Sequence, residues 1–159
     1  LTPNYVGGVP AFRTPDGEIA WVTTALRSVS AAAFTASGDT LVAAGNSFGG
    51  EATTLSFLSA ADGTLHGTIN VGAPIRAITF DPDRPYLYVV TEPLGNHPEL
   101  RTYETGSYTL VGRAATRCLA GCPTGMTVLA DRDEGVIVIE HNSGVDGVIM
   151  WWYSVPAVE

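Results

Sequence analysis

Two carboxylates and an amide raise the first chemical possibility. Glu92 and Glu140 each follow a dense apolar run, and they stand at matching places in two copies of one pattern. Asn46 stands near the same place in a third copy. Oxygen donors that recur in this way can converge, and hard cations such as Ca²⁺ take clustered carboxylate and amide oxygens. Glu51, Asn96, His97, Arg117, His141, Asn142 and Asp146 fall in neighbouring stretches. Three readings of the set are open: a solvated rim of loop residues, a divalent-cation or small-ligand site, or an acid–base site on His141 or His97. No Ser or Cys lies in a nucleophile-elbow motif, so triad chemistry has no support. The chain contains no P-loop, dinucleotide fingerprint, His-Glu-x-x-His pair or Cys-x-x-Cys-His haem site. No cofactor is expected beyond such a cation.

The two cysteines, Cys118 and Cys122, lie in a short run with Gly121 and Pro123. That arrangement suits a small loop closed by a disulfide, with two free thiols as the alternative. A zinc site would need two more ligands, and no His or Cys stands at finger or ribbon spacing. A disulfide implies an oxidising compartment, hence an extracytoplasmic protein, periplasmic or secreted. The sequence begins at Leu1 without a signal peptide, which is expected of a processed or trimmed chain.

Composition narrows the partners. The chain has 159 residues, 45% hydrophobic and 15% charged, which argues for a packed core and against disorder. A net charge of −8 disfavours nucleic acid and anionic lipid, both of which need a basic patch. The longest apolar runs, 136–139 and 148–153, are too short for a transmembrane segment. All eight basic residues are Arg, and we have no structural account of that.

The elements that must position these residues repeat. Segments 33–46, 79–92 and 127–140 each read as an apolar strand end, a polar turn containing Asp, and a dense apolar strand. Their anchors, Phe34, Phe80 and Val128, are 46 and 48 residues apart. Gly-containing turns in segments 14–21, 60–66 and 103–110 repeat in phase. Asp16 to Phe34 and Asp62 to Phe80 both span 18 residues. Four short strands per period match one blade of an all-β propeller. With strands labelled a to d, strand a is 31–34, 75–80 and 125–129. Strand b is 40–44, 86–91 and 136–140. Strand c is 54–59, 99–103 and 148–155, and strand d is 19–24, 65–71 and 109–114. A first c strand is expected near 9–12. The periods run 9–52, 53–98 and 99–147, with an extra strand at 148–155, which is about three and a half blades and an incomplete ring. The b strands are apolar on both faces, as stacked blades require and a half-solvated sheet does not. A two-sheet sandwich would also have many short strands, but it leaves the period unexplained.

Segment 73–91, with Pro74, Asp81-Pro82-Asp83 and Leu87-Tyr88-Val89, resembles YVTN-type and quinoprotein-like propeller repeats. Asp62-Gly63 followed by Val71-Gly72 resembles their inter-blade link. The resemblance covers three periods. It implies the propeller fold and carries no catalytic residue over. Lactonase-like propellers use carboxylate and Asn ligands near the axis, which Glu92, Glu140 and Asn46 match in position only. The Trp-Asp dipeptide of WD repeats is absent.

Propeller topology puts the long loops, 45–52, 92–98, 115–124 and 141–147, on one face, where function tends to sit. The short Asp-containing turns of the other face are expected to be structural. His66 is expected to be a structural residue of an outer strand. Trp151, Trp152 and Tyr153 pack either in the core or against a partner. The expected function is a scaffold or binding module for protein–protein assembly, completed by a protein partner or by the remainder of a longer chain. The alternative is a metal-dependent hydrolase or a lyase acting on a small molecule at the loop-rich face.

Overall fold

The computed structural model describes residues 9–12, 17–26, 28–46, 52–92, 98–115, 125–131, 135–141 and 148–153. For Phe12, Asn46 and everything from residue 125 onwards it describes the backbone alone. These residues form β1 (Val9–Phe12), β2 (Ile19–Thr23), β3 (Ser28–Phe34), β4 (Thr40–Asn46), β5 (Thr54–Ser59), β6 (Leu65–Asn70) and β7 (Ile75–Phe80). They continue with β8 (Tyr86–Thr91), β9 (Glu99–Glu104), β10 (Leu110–Ala115), β11 (Gly125–Asp131), β12 (Gly135–His141) and β13 (Val148–Tyr153). Among the described residues no helix is long and apolar enough to cross a membrane.

Every sheet is an antiparallel meander in chain order. Two sheets are complete, β3-β4-β5-β6 and β7-β8-β9-β10; β1-β2 has two strands and β11-β12-β13 has three. The strand order is the a-b-c-d order expected from the repeat, and β1, β5, β7 and β8 have the expected bounds. Each complete sheet begins at strand a, so it straddles the periods counted from strand c.

The register repeats as well as the strands. The pairing of β2 with β1 skips Ala20, that of β6 with β5 skips His66, and that of β10 with β9 skips Val111. Each skipped residue is the second of its d strand. A bulge twists a strand and disrupts its ladder, one way in which sheet edges avoid pairing with other chains. The a strands β3 and β7 carry another matched pair of irregularities, at Ser30 and Arg76.

Contacts divide the chain into two compact units, Leu1–Gly72 and Ala73–Glu159. In the first, β1 and β2 lie on one face of the β3–β6 sheet. Val9, Trp21 and Leu41 pack against Leu26, Ala43 and Leu58. Trp21 Nε1 donates to the Ala60 carbonyl at 2.9 Å, and the ring sits over Gly63. A Cβ built on Gly63 would lie 2.5 Å from Trp21 Cε3, and φ there is +73°. Only glycine meets both demands without strain.

In the second unit all six residues of β8 are buried, and Leu87, Tyr88, Val89 and Val90 have no exposed surface. Strand β11 packs on β7 and reaches β8, so one sheet covers a face of the next. That cover accounts for the burial of one face of β8.

Candidate functional site

Glu92 is the one proposed ligand whose side chain the structure describes. It follows β8, and its N–H donates to the Pro74 carbonyl at 2.8 Å. It is only 8% exposed. Arg76 Nε donates to Glu92 Oε2 at 2.6 Å. Arg76 is the residue skipped in the pairing of β7 with β8, and such irregularities re-aim side chains. The carboxylate therefore has a resident cation, and a metal ion at Glu92 would have to share it with Arg76.

The register also changes which residues correspond. Beyond the Phe80–Leu87 pair the Asp81 N–H donates to the Tyr86 carbonyl, and the matching hairpin closes with Asp131 opposite Gly135. Counted from there, Glu140 corresponds to Thr91, and His141 corresponds to Glu92. Asn46 corresponds to Glu92 as expected, because Phe34 pairs with Leu41. The 48-residue spacing matches Glu92 to Glu140, and the strand pairing does not. The turn before β12 is one residue shorter than the turn before β8, and a strand displaced by one residue is out of phase. The side chains of Asn46, Glu140 and His141 lie outside the described residues, as do Glu51, Asn96, His97, Arg117, Cys118, Cys122, Asn142 and Asp146 entirely. Among the described residues no three His, Cys, Asp or Glu side chains gather.

A second charged cluster, absent from the sequence-based set, lies on β9 and β10. Arg101 Nε donates to Glu99 Oε2 at 2.6 Å, and Arg113 approaches Glu99 Oε1 at 3.9 Å. Arg101 and Arg113 are directly paired across the strands. Arg101 is buried. Burial alone would lower its pKa, but hydrogen bonds to Glu99 and Tyr103 outweigh that and raise it. The signal for the Glu99–Arg101 pair was its i, i+2 spacing on a strand, which puts both on one face. The Arg76–Glu92 pair had no such signal, since it depends on the irregularity in β7.

The described short turns are structural, as their Asp content implies. Asp81 is 3% exposed. Its Oδ1 accepts from the Asp83 and Arg84 amides at 3.0 and 2.9 Å. Its Oδ2 accepts from Arg84 Nε and Tyr88 OH at 2.7 and 2.8 Å. Burial pushes the Asp81 pKa up, and these hydrogen bonds outweigh it and hold the carboxyl below its ordinary value. Tyr88 is raised by its own burial and by donating to Asp81. In the matching turn of the preceding sheet, Thr35 and Ser37 donate to Asp39 at 3.2 and 2.7 Å.

The repeated irregularities, the a-b-c-d meanders and the stacked faces decide the architecture. The chain has the β-propeller fold. Solved structures agree. BamB from Moraxella catarrhalis superposes with a TM-score of 0.59 at 19% identity, over 84% of this chain and 36% of that one. A chain of the mitotic checkpoint complex gives 0.66 at 14% identity, over 94% and 44%. The WD40 domain of Toxoplasma gondii coronin gives 0.57 at 15% identity, over 94% and 41%. The likeness thus extends to WD40 propellers despite the missing Trp-Asp dipeptide. The chain spans between about a third and a half of these structures' lengths. Neither a protein-family model nor a curated protein matches it.

Proposed function

We propose that this chain is a propeller scaffold that mediates protein–protein assembly, as part of a longer polypeptide or of a complex. One observation carries the reading. In the β1–β2 sheet, Trp21 packs on the next sheet and Thr23 is buried, whereas Val22, on the opposite face, is 42% exposed, and Ile19 is 39% exposed. Among the described residues this sheet holds two strands where the complete sheets hold four. An exposed apolar face of this kind suits cover by another polypeptide. The propeller neighbours lend support, one of them a component of a multi-protein complex. Its repeats fit the YVTN-type, quinoprotein-like group by the residues of segment 73–91, and the Cys118–Cys122 pair favours an extracytoplasmic location.

Light scattering on the native protein, with its mass measured in parallel, tests the scaffold reading. Further polypeptide should accompany residues 1–159, and Val22→Asp should weaken association without lowering thermal stability. A monodisperse 16.6 kDa species with no dye-binding apolar surface would defeat the proposal. Metal analysis separates the enzyme alternative. A stoichiometric divalent ion lost in Glu92→Gln would replace a scaffold-only role with a metal-dependent one.

A further inference from the structure

The first unit contains a cleft of about 300 Å³ between the d-to-a connection that follows β2 and the outer half of the β3–β6 sheet. Thr53, Thr54, Ser56 and Thr68 line it together with Leu26 and Leu65. Ser56 and Thr68 are directly paired across β5 and β6. Thr54 lies two residues before Ser56 on the same face of the strand. The hydroxyls thus form a ladder along one sheet face, the face whose inner half packs on Trp21 and Val9.

Ser56 is only 3% exposed. Among the described residues its hydroxyl has no hydrogen-bonding partner, and the same holds for the hydroxyls of Thr53, Thr54 and Thr68. Buried polar groups are satisfied in nearly all native proteins, so an unpaired hydroxyl aimed into a cleft points to something that satisfies it. Hydroxyls both donate and accept, which suits a ligand that does the same. The described lining carries no charged side chain, so an ionic ligand would lose hydration without a counter-charge. Leu26 and Leu65 supply apolar contact for C–H groups. The volume stands at the lower end of ligand pockets, enough for one six-membered ring.

We propose that this cleft binds a neutral polyhydroxylated ligand the size of one pyranose ring. Saturation-transfer NMR and calorimetry on the full native chain test it, with D-glucose, D-galactose, D-mannose and myo-inositol as probes and D-gluconate as the charged control. At least one neutral probe should bind saturably, and gluconate should not. Ser56→Ala and Thr68→Val should each weaken binding roughly fivefold, the contribution of one neutral hydrogen bond. Ser56→Ala should unfold no more readily than the parent, since it removes a hydroxyl without a described protein partner. Failure of all four neutral probes, equal binding of gluconate, or unchanged affinity in both variants would overturn the proposal.

Discussion

Gly63→Ala is the substitution in which local backbone and inter-sheet packing can be separated. The residue adopts φ +73°, and an added Cβ would meet three atoms of the Trp21 ring between 2.5 and 3.0 Å away. The left-handed conformation costs an L-residue about 1–2 kcal/mol. Displacing the ring breaks the Trp21–Ala60 hydrogen bond, about 1 kcal/mol. Re-exposing some 40–80 Å² of indole adds about 1–2 kcal/mol. The expected destabilisation is about 3–5 kcal/mol. Gly38 provides the control, because its φ is +74° and a Cβ there meets nothing within 4 Å. Gly38→Ala should cost only the backbone share, about 1–2 kcal/mol. Urea unfolding with a common slope of about 2–3 kcal/mol/M would then place the Gly63→Ala midpoint about 1 M below that of Gly38→Ala. In a Trp21→Ala background the two glycine substitutions should cost the same, since the clash is gone. Equal costs in the parent chain would refute the reasoning, for they would mean that Trp21 is not held over the turn.

Stability should fall on acidification as Asp81 is protonated. Its folded pKa lies below the unfolded value, so its contribution is present above about pH 4 and is lost as pH falls through the folded pKa. Asp81→Asn should flatten that part of the pH profile in urea unfolding and should lower stability at pH 7. An unchanged profile would show that the turn does not depend on the charge. Ultraviolet titration should find one tyrosine that resists ionisation well above pH 10, and this resistant component should vanish in Tyr88→Phe. Stability linked to Tyr88 is present below about pH 10 and is lost as pH rises towards its higher folded pKa. Mass spectrometry with alkylation before and after reduction should show Cys118 and Cys122 blocked in native material. Two freely alkylated thiols would remove the argument for an extracytoplasmic location.

Much of this protein is written along the chain. The repeat of Phe34 and Phe80, and of the Asp16 and Asp62 turns in phase with them, determines four strands per period and the a-b-c-d order seen in the sheets. These are local and periodic properties: side-chain alternation, turn chemistry and spacing between neighbours in sequence. The dense apolar β8 announces cover on both faces for the same reason. Even the third c–d turn departs only in detail. Glu104 receives the amides of Gly106 and Ser107, and Tyr108 rather than glycine takes the positive φ, at +53°.

Tertiary structure decided what depends on register and on groups far apart in the chain. The irregularity at Arg76 delivers a guanidinium to Glu92, although nothing in the neighbouring residues marks Arg76 for that role. One residue fewer in the turn before β12 brings His141, and not Glu140, into correspondence with Glu92. The Trp21 ring meets Gly63 only because two sheets stack, and Ser56 comes to line a cleft only because Thr68 is paired beside it and the β2 connection passes above. A period counts residues, whereas a site depends on how strands slide and stack. A single skipped residue leaves the period nearly intact and changes which side chains meet.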